Sequence, residues 1–127
     1  QAYPNECVIV RPTGIYGTSS ARMVKLAEVT KTYSNIHWSN RIHIYDLANF
    51  LAHLLHVEHP EKSYICTNNQ PQPLHEMILK IQRDLNLPEL VLQSQNETGK
   101  KIFADNMVKS GYKLKHDSCL LDYRKLL

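Results

Sequence analysis

The sequence predicts an α/β fold in which two parallel strands are joined by a crossover helix. Residues 7–10 and 64–67 are apolar runs of strand length without polar alternation, which is typical of strands covered on both faces. Between them, residues 46–57 carry apolar side chains at the spacing of one face of an amphipathic helix. These side chains are Leu47, Phe50, Leu51 and Leu54. A strand, a helix and a strand in this order predict a parallel crossover unit.

Turn and cap signals set the limits of the helices. Asp46 is the predicted N-cap of the central helix, because its side chain can accept a hydrogen bond from a free backbone N–H. A shorter helix is predicted over residues 21–31, after the loop at Gly17. Pro73 is predicted near the first position of a third helix, and Pro88 prevents its extension. Its apolar stripe consists of Leu74, Met77, Ile78, Ile81 and Leu85.

The C-terminal third has weaker signals. Residues 93–100 are polar and predict a loop, whereas residues 101–104 predict a strand. Residues 105–110 predict a short helix that ends at Gly111. The tail from Lys113 onward predicts no element. Because no repeat, low-complexity tract or linker is present, one unit is predicted over all 127 residues.

Composition and charge predict a folded chain without nucleic-acid or membrane partners. The sequence is 43% hydrophobic and 21% charged, which fits one globular domain. The net charge is +3 with scattered lysines and arginines, so no basic footprint for nucleic acid arises. Three distant cysteines without a Cys-x-x-Cys motif predict a reducing, cytoplasmic location. No apolar run approaches the about 20 residues of a membrane span, and the first residues do not resemble a signal peptide.

Glycines after the first strand raise the question of a dinucleotide-binding loop. Residues 13–20 read T-G-x-x-G-x-x-S, which resembles such a loop. That loop requires a tight turn directly after the strand, and Arg11 and Pro12 interrupt it. Residues 33–40 also lack the acidic side chain that would bind the ribose. The alternative is an ordinary turn with Gly17 at positive φ, which explains the glycines but not the surrounding motif.

Four motifs follow one another over nearly the whole chain. The first is a strand that ends in Arg-Pro-x-x-x-Tyr-Gly at residues 11–17, and the second is the string NRIHIYDLA of residues 40–48. The third is the apolar run of residues 63–67, which is followed by Gln-Pro-Leu and a helix. The fourth joins GKKI at residues 99–102 to SGYKL at residues 110–114. In this order they resemble the extended and atypical short-chain dehydrogenases, the NAD(P)-dependent sugar epimerase/dehydratase family.

The resemblance implies a partial Rossmann-type unit, with parallel strands, a crossover helix and a small C-terminal substrate-side α/β lobe. In that family these segments follow the nucleotide-binding half and a catalytic Tyr-x-x-x-Lys. The tyrosine, whose pKa is lowered by the lysine, moves a proton while the nicotinamide takes up hydride. None of the seven tyrosines here has a lysine four residues later, so no catalytic residue is predicted. NAD or NADP is implied for the intact protein, and none is expected to bind this chain alone.

The resemblance also implies site residues, position by position. Pro12 and Thr13 match positions beside the nicotinamide and are the predicted cofactor contacts. Gly14 stands where the family often has an asparagine that contacts substrate, so that contact is absent. The predicted substrate-binding positions are Gly14, Tyr16, Arg41 and His43.

The arginines that hold a nucleotide-sugar diphosphate in the family are absent from their usual positions, here Ser39 and the region of Asn96. Arg41 lies two residues beyond Ser39, and residues i and i+2 of a strand share a face, so Arg41 is predicted to reach the same cleft. His43 shares that face, whereas Ile42 and Ile44 point oppositely, into apolar packing. Arginine is well suited to bind phosphate because its guanidinium can bond two oxygens at once. The absence of arginine from both usual positions therefore argues against a nucleotide-sugar substrate.

The histidines predict structure rather than metal binding. His43 is predicted to be a hydrogen-bonded core histidine rather than a catalyst. His53, His56 and His59 spread over a wide arc, and no further ligand completes a known geometry. They are predicted to form a solvent-facing stripe, and no metal site is predicted.

Two functions of different classes remain open. One is the substrate-binding half of an NAD(P)-dependent oxidoreductase, inactive alone; the other is a stand-alone binding or interaction module derived from that fold. A half-enzyme exposes apolar area where its other half docks, near Val8 and Ile9, whereas a stand-alone module has covered it. The expected partners are a small-molecule substrate in the intact protein and a second copy of the chain, through an open strand edge.

Overall fold

The computed structural model describes residues 7–127, so the N-terminal residues that were compared with a signal peptide lie outside the described part. The strands are Ile9–Pro12 (β1), Gly14–Tyr16 (β2), Thr32–Tyr33 (β3), Ile36–Ser39 (β4), Arg41–His43 (β5), Ser63–Cys66 (β6), Gln72–Pro73 (β7), Val91–Leu92 (β8) and Glu97–Thr98 (β9). The helices are Ala21–Val29 (α1), Ile44–Leu54 (α2), Leu74–Asp84 (α3), Asp105–Lys109 (α4) and Cys119–Lys125 (α5). Within residues 7–127, the helices are too short to cross a membrane.

The predicted α/β class with a parallel crossover is confirmed. β1 and β6 pair in parallel, with Ile9 opposite Ser63 and Pro12 opposite Cys66, and α2 lies between them in sequence. A second parallel pair joins β2 to β5 and a third joins β3 to β8. β4 lies between β7, to which it is antiparallel, and β9, to which it is parallel.

The first strand begins two residues later than predicted and includes Arg11 and Pro12. The N–H groups of Ile9 and Thr13 donate to the carbonyls of Lys62 and Cys66, so odd-numbered residues of β1 face β6. Pro12, which has no N–H, is therefore tolerated because its nitrogen faces away from β6. The strand predicted over residues 64–67 is likewise shifted, by one residue, to β6.

Helical spacing located α1, α2 and α3, but their ends differ from the prediction. α1 ends at Val29, α2 runs two residues earlier at its start and ends at Leu54, and Pro73 is the N-cap of α3 rather than its first residue. Of the predicted apolar stripes, Leu51 and Leu85 are exposed. Ile44, predicted to extend a strand into apolar packing, instead begins α2 and is exposed. α4 forms as predicted, and Gly111 beyond its end has a φ of 91°.

The C-terminal third and Gly17 also differ from what the sequence indicated. Residues 101–104 form no strand, whereas β9 forms inside the segment predicted as loop. The tail beyond Lys113 contains α5, whose Cys119, Leu120 and Tyr123 are buried. Gly17, for which a positive φ was considered, does not have one. Strands of two residues show no period, so they depend on partners that local sequence does not reveal.

Two hydrophobic clusters hold these elements together. The first lies between α1, α3 and α5 and consists of Tyr16, Met23, Ala27, Met77, Ile78, Ile81, Leu90, Cys119, Leu120 and Tyr123. The second packs α2 and α4 against β6 and consists of Ile42, Leu47, Phe50, Tyr64, Cys66, Ala104 and Met107. Tyr16 and Ile42 come from the paired strands β2 and β5, so this pair stands between the two clusters.

Candidate functional site

The carboxyl ends of β1 and β6 lie side by side, which is where ligands bind in open α/β sheets. Thr13 donates to the carbonyl of Cys66 from both its backbone N–H, at 3.0 Å, and its hydroxyl, at 2.9 Å. The carbonyl of Arg41 accepts the Asn68 N–H at 2.7 Å and the Thr67 hydroxyl at 3.3 Å. These bonds tie three chain segments together. We call this region the strand-end site, and its residues are Pro12, Thr13, Gly14, Arg41, Thr67 and Asn68.

Arg41 and Gly14 are direct partners in the β2–β5 register. A Cβ at Gly14 would lie 3.1 Å from Arg41 Cδ and 3.2 Å from the Asn40 carbonyl oxygen, so the glycine leaves room for the arginine. Arg41 is half-buried, and it forms no ion pair with a carboxylate of residues 7–127. A guanidinium in this setting is available to an anionic group of a ligand.

A second group of polar side chains lies at the other end of the β2–β5 pair, where Tyr16 is opposite His43. Their rings meet edge to face with centroids 5.0 Å apart, and the His43 ring stacks on His116 at 3.8 Å. The Tyr16 hydroxyl donates to Asp122 at 2.5 Å, and His116 Nδ1 lies 3.2 Å from both Asp122 oxygens. We call Tyr16, His43, His116 and Asp122 the histidine cluster.

The N-cap of α2 is His43, so the prediction of Asp46 as the cap is wrong. His43 Nδ1 accepts the Tyr45 N–H at 3.0 Å. Asp46 is fully buried, and its carboxylate accepts hydrogen bonds from the C-terminal segment instead. The donors are the Tyr112 hydroxyl at 2.6 Å, the Lys115 N–H at 3.0 Å and the His116 N–H at 2.8 Å. This carboxylate therefore holds His116 over His43.

Burial sets the protonation states around the histidine cluster. Desolvation lowers the pKa of His43, and the neighbouring His116 adds to the effect. Desolvation and the bond to Asp122 raise the pKa of the Tyr16 hydroxyl, so it is a poor proton donor at neutral pH. Burial raises the pKa of Cys66 to about 11 and that of Cys119 to about 12, so neither is a ready nucleophile.

The predicted site residues fall into two groups. Pro12, Thr13, Gly14 and Arg41 lie together at the strand-end site, whereas Tyr16 and His43 are buried in the histidine cluster. A substrate contact by Tyr16 or His43 requires access to a cavity of about 220 Å³ that His43, Tyr45 and His116 help to line. All six ligand contacts stay predictions. His116 and Asp122 were missed because the tail that carries them has no local motif.

The histidines of α2 do not form a solvent-facing stripe. His53 is partly buried, and its Nε2 lies 2.8 Å from the Ser110 carbonyl oxygen, whereas His56 and His59 are exposed. The prediction of a shared stripe is therefore wrong for His53, which anchors the end of α4. Spacing suited to a metal ion occurs elsewhere, in the histidine cluster.

Known proteins resemble this arrangement in structure. No family profile and no curated protein matches the chain. A protein from Methylobacillus flagellatus, provisionally assigned as an NAD-dependent epimerase/dehydratase, matches with 30% identity and a TM-score of 0.80. The match covers 94% of this chain and 45% of the Methylobacillus protein.

Two more distant structures share the fold. A dTDP-glucose 4,6-dehydratase from Bacillus anthracis in complex with NAD has 16% identity and a TM-score of 0.70, covering 98% of this chain and 45% of its own. A human epimerase family protein with NADPH has 15% identity and a TM-score of 0.70, and the match covers 94% of this chain and 47% of the human protein. The chain thus spans somewhat less than half the length of each of these proteins. The predicted resemblance is confirmed: this chain resembles in fold one part of the NAD-dependent epimerase/dehydratase structures.

Proposed function

We propose that the chain is the substrate-side half of a cytoplasmic NAD(P)-dependent epimerase/dehydratase-like oxidoreductase and is inactive without a nucleotide-binding half. In this proposal Pro12 and Thr13 approach the nicotinamide and Arg41 binds an acidic group of a small substrate. The main support comes from the open side of the β1–β6 pair. A central parallel strand normally has a neighbour on both edges and a layer on both faces.

The first open feature is the edge of β1. Because the N–H groups of Ile9 and Thr13 face β6, the alternation of a parallel ladder directs the N–H and carbonyl of Val10 the other way. Within residues 7–127, no strand pairs with β1 on that side. An unpaired edge of this kind is a template for another strand.

The second open feature is one face of the same pair. Register places Ile9, Arg11, Ser63 and Ile65 on one face, opposite to that of the buried Tyr64. Ile9 is 52% and Ile65 42% exposed, and Phe103, which lines a cavity together with Ile65, is 51% exposed. On the other face, the edge continues into a cavity of about 490 Å³ between β1 and α2. Val8, Val10, Leu51, Leu54, Leu55 and Pro60 are among its lining residues. A stand-alone module would have covered this surface, so the half-enzyme is favoured.

If this surface is uncovered in the chain alone, the chain should self-associate through it. Ile65→Lys places a charge on the open face, so it should shift the sedimentation coefficient toward that of a monomer while changing the melting temperature little. Leu121→Lys is the matched control, since Leu121 is 53% exposed on α5. A sharp monomer of the unsubstituted chain at high concentration would contradict the prediction.

The proposed role of Arg41 can be tested with inorganic pyrophosphate as the probe. We expect the Arg41 side-chain N–H signal in NMR to shift saturably on titration, because its guanidinium has no carboxylate partner in the described chain. Gly14→Ala should weaken this response severalfold by displacing Arg41. Arg83, which is paired with Glu89 at 3.0 Å, is the internal control. Equal responses of both arginines would show that Arg41 is an ordinary surface cation.

A further inference from the structure

The histidine cluster contains a buried imidazole whose bonds fix its protonation state. His43 is 4% exposed, and its Nδ1 accepts the Tyr45 N–H, so the lone pair is on Nδ1 and the proton is on Nε2. A second proton would have to enter at Nδ1. It would then point at the N–H group that Nδ1 now caps, at the positive end of α2.

The neighbouring carboxylates favour a charged His43, but desolvation outweighs them, and both carboxylates are already hydrogen-bonded to other groups. From α2, Asp46 is occupied by Tyr112 and two backbone N–H groups of the C-terminal segment. From α5, Asp122 is occupied by Tyr16 and His116. The other groups near His43 are the Tyr45 ring, the stacked His116 and Lys125, which lines the adjoining cavity.

The same three side chains also have the spacing of a metal site. One ligand atom from each of His43, His116 and Asp122 lies within 4.8 Å of the others. However, a metal ion on His43 Nε2 requires the proton to be on Nδ1, where it would face the Tyr45 N–H. Metal binding would therefore break the hydrogen bond that caps α2. The geometry favours a role other than metal binding for these three side chains.

We propose that residues 115–125 form an acid-sensitive strap, which is closed over His43 at neutral pH and opens locally when His43 takes up a proton. Two contacts hold the strap on α2: the stack of His116 on His43 and the bonds from the Lys115 and His116 N–H groups to Asp46. Its helix α5 also packs Leu120 and Tyr123 against α1 and α3, so local opening releases these contacts as well. Protonation breaks the cap and places a charge against the stacked ring. The strap carries Cys119, which is 3% exposed while the strap is closed.

The direction of the pH dependence follows from the lowered pKa of His43. The open strap leaves His43 in water, with an ordinary pKa of about 6.5. The open form therefore binds more protons than the closed form, so the closed form is fully stabilised above about pH 6.5 and loses stability as the pH falls below it. At pH 5.5, protonated His43 outnumbers neutral His43 in the open strap by about ten to one. Opening of the strap therefore becomes up to about tenfold more frequent than at pH 7.5.

Thiol labelling of this chain measures the opening. A dipyridyl disulfide, which reacts with thiols in acid, is applied at pH 7.5 and 5.5, and peptide mapping separates Cys119 from Cys66, which is fully buried outside the strap. We expect the labelling rate of Cys119 relative to Cys66 to rise by up to about tenfold at pH 5.5. His43→Asn keeps a capping oxygen and removes the titration, so its ratio should stay constant. The exposed His59→Asn should behave like the unsubstituted chain.

A second measurement keeps the inference testable if His43→Asn does not fold. In the unsubstituted chain, the NMR signal of the His43 ring should titrate at a lower pH than that of a free imidazole, whose pKa is about 6.5. Normal titration of His43, a constant Cys119 ratio, or a parallel rise for both thiols would overturn the strap. Micromolar binding of zinc alone at pH 7.5, with ring signals of His43 and His116 shifted, would replace it with a metal site.

Discussion

Asp46→Asn is expected to lower the free energy of unfolding by about 3 kcal/mol or more, which is a large fraction of the stability of a small domain. The Asp46 carboxylate is fully buried and accepts three hydrogen bonds from the Tyr112 hydroxyl and the N–H groups of Lys115 and His116. Asparagine removes the charge and turns an amide N–H toward one of those donors. Bonds to a charged group contribute about 1.5–3 kcal/mol each, and an unpaired buried donor adds its own cost.

Urea denaturation of the two proteins measures this difference. Asp117→Asn is the matched control, because Asp117 is an exposed carboxylate one residue beyond His116. We expect the control to change the free energy of unfolding by less than about 0.5 kcal/mol. Equal stability of the Asp46 and Asp117 variants would show that Asp46 does not hold the C-terminal segment.

Gln82→Leu should destabilise the chain by a similar amount, about 3 kcal/mol. Gln82 is fully buried on α3, and its amide nitrogen donates to the carbonyls of Ala27 at 3.0 Å and Thr30 at 2.9 Å. Its amide oxygen accepts the Leu90 N–H at 2.8 Å. Leucine has a similar size but leaves three backbone groups without partners, so the loss comes from polar desolvation rather than from a cavity.

The same denaturation experiment applies to this variant. Gln93→Leu is the control, since Gln93 is exposed and follows β8 directly. If Gln82→Leu is as stable as Gln93→Leu, Gln82 does not link the C-terminal end of α1 to the segment before β8.

Hydrophobic periodicity and turn-forming residues in the sequence located the longer elements of the fold. The 3.6-residue spacing in α2 and α3 is visible locally because eleven residues repeat it about three times. The two-residue strands β3, β8 and β9 show no such period, since each forms through a partner far away in sequence. α5 was missed for a related reason: its seven residues bury Cys119, Leu120 and Tyr123 only because α1 and α3 provide the opposing surface.

The candidate site was predictable where a motif spans it. The Arg-Pro-x-x-x-Tyr-Gly string placed Pro12 and Thr13 at the carboxyl end of a parallel strand, and the register places Arg41 beside Gly14. The role of Asp46 was not predictable, because capping chemistry is local whereas its actual donors lie 66 to 70 residues away. Long-range hydrogen bonds of this kind leave no trace in local composition.

Titration calorimetry of this chain with NADH and NADPH tests the half-enzyme account most directly. A chimera, in which this chain replaces its matched portion of the Methylobacillus flagellatus protein, is the positive control. The sequence has no phosphate-binding glycine loop or ribose-binding acid, so the account predicts no saturable binding to the chain alone and binding to the chimera. Micromolar binding of either cofactor to the chain alone would contradict it.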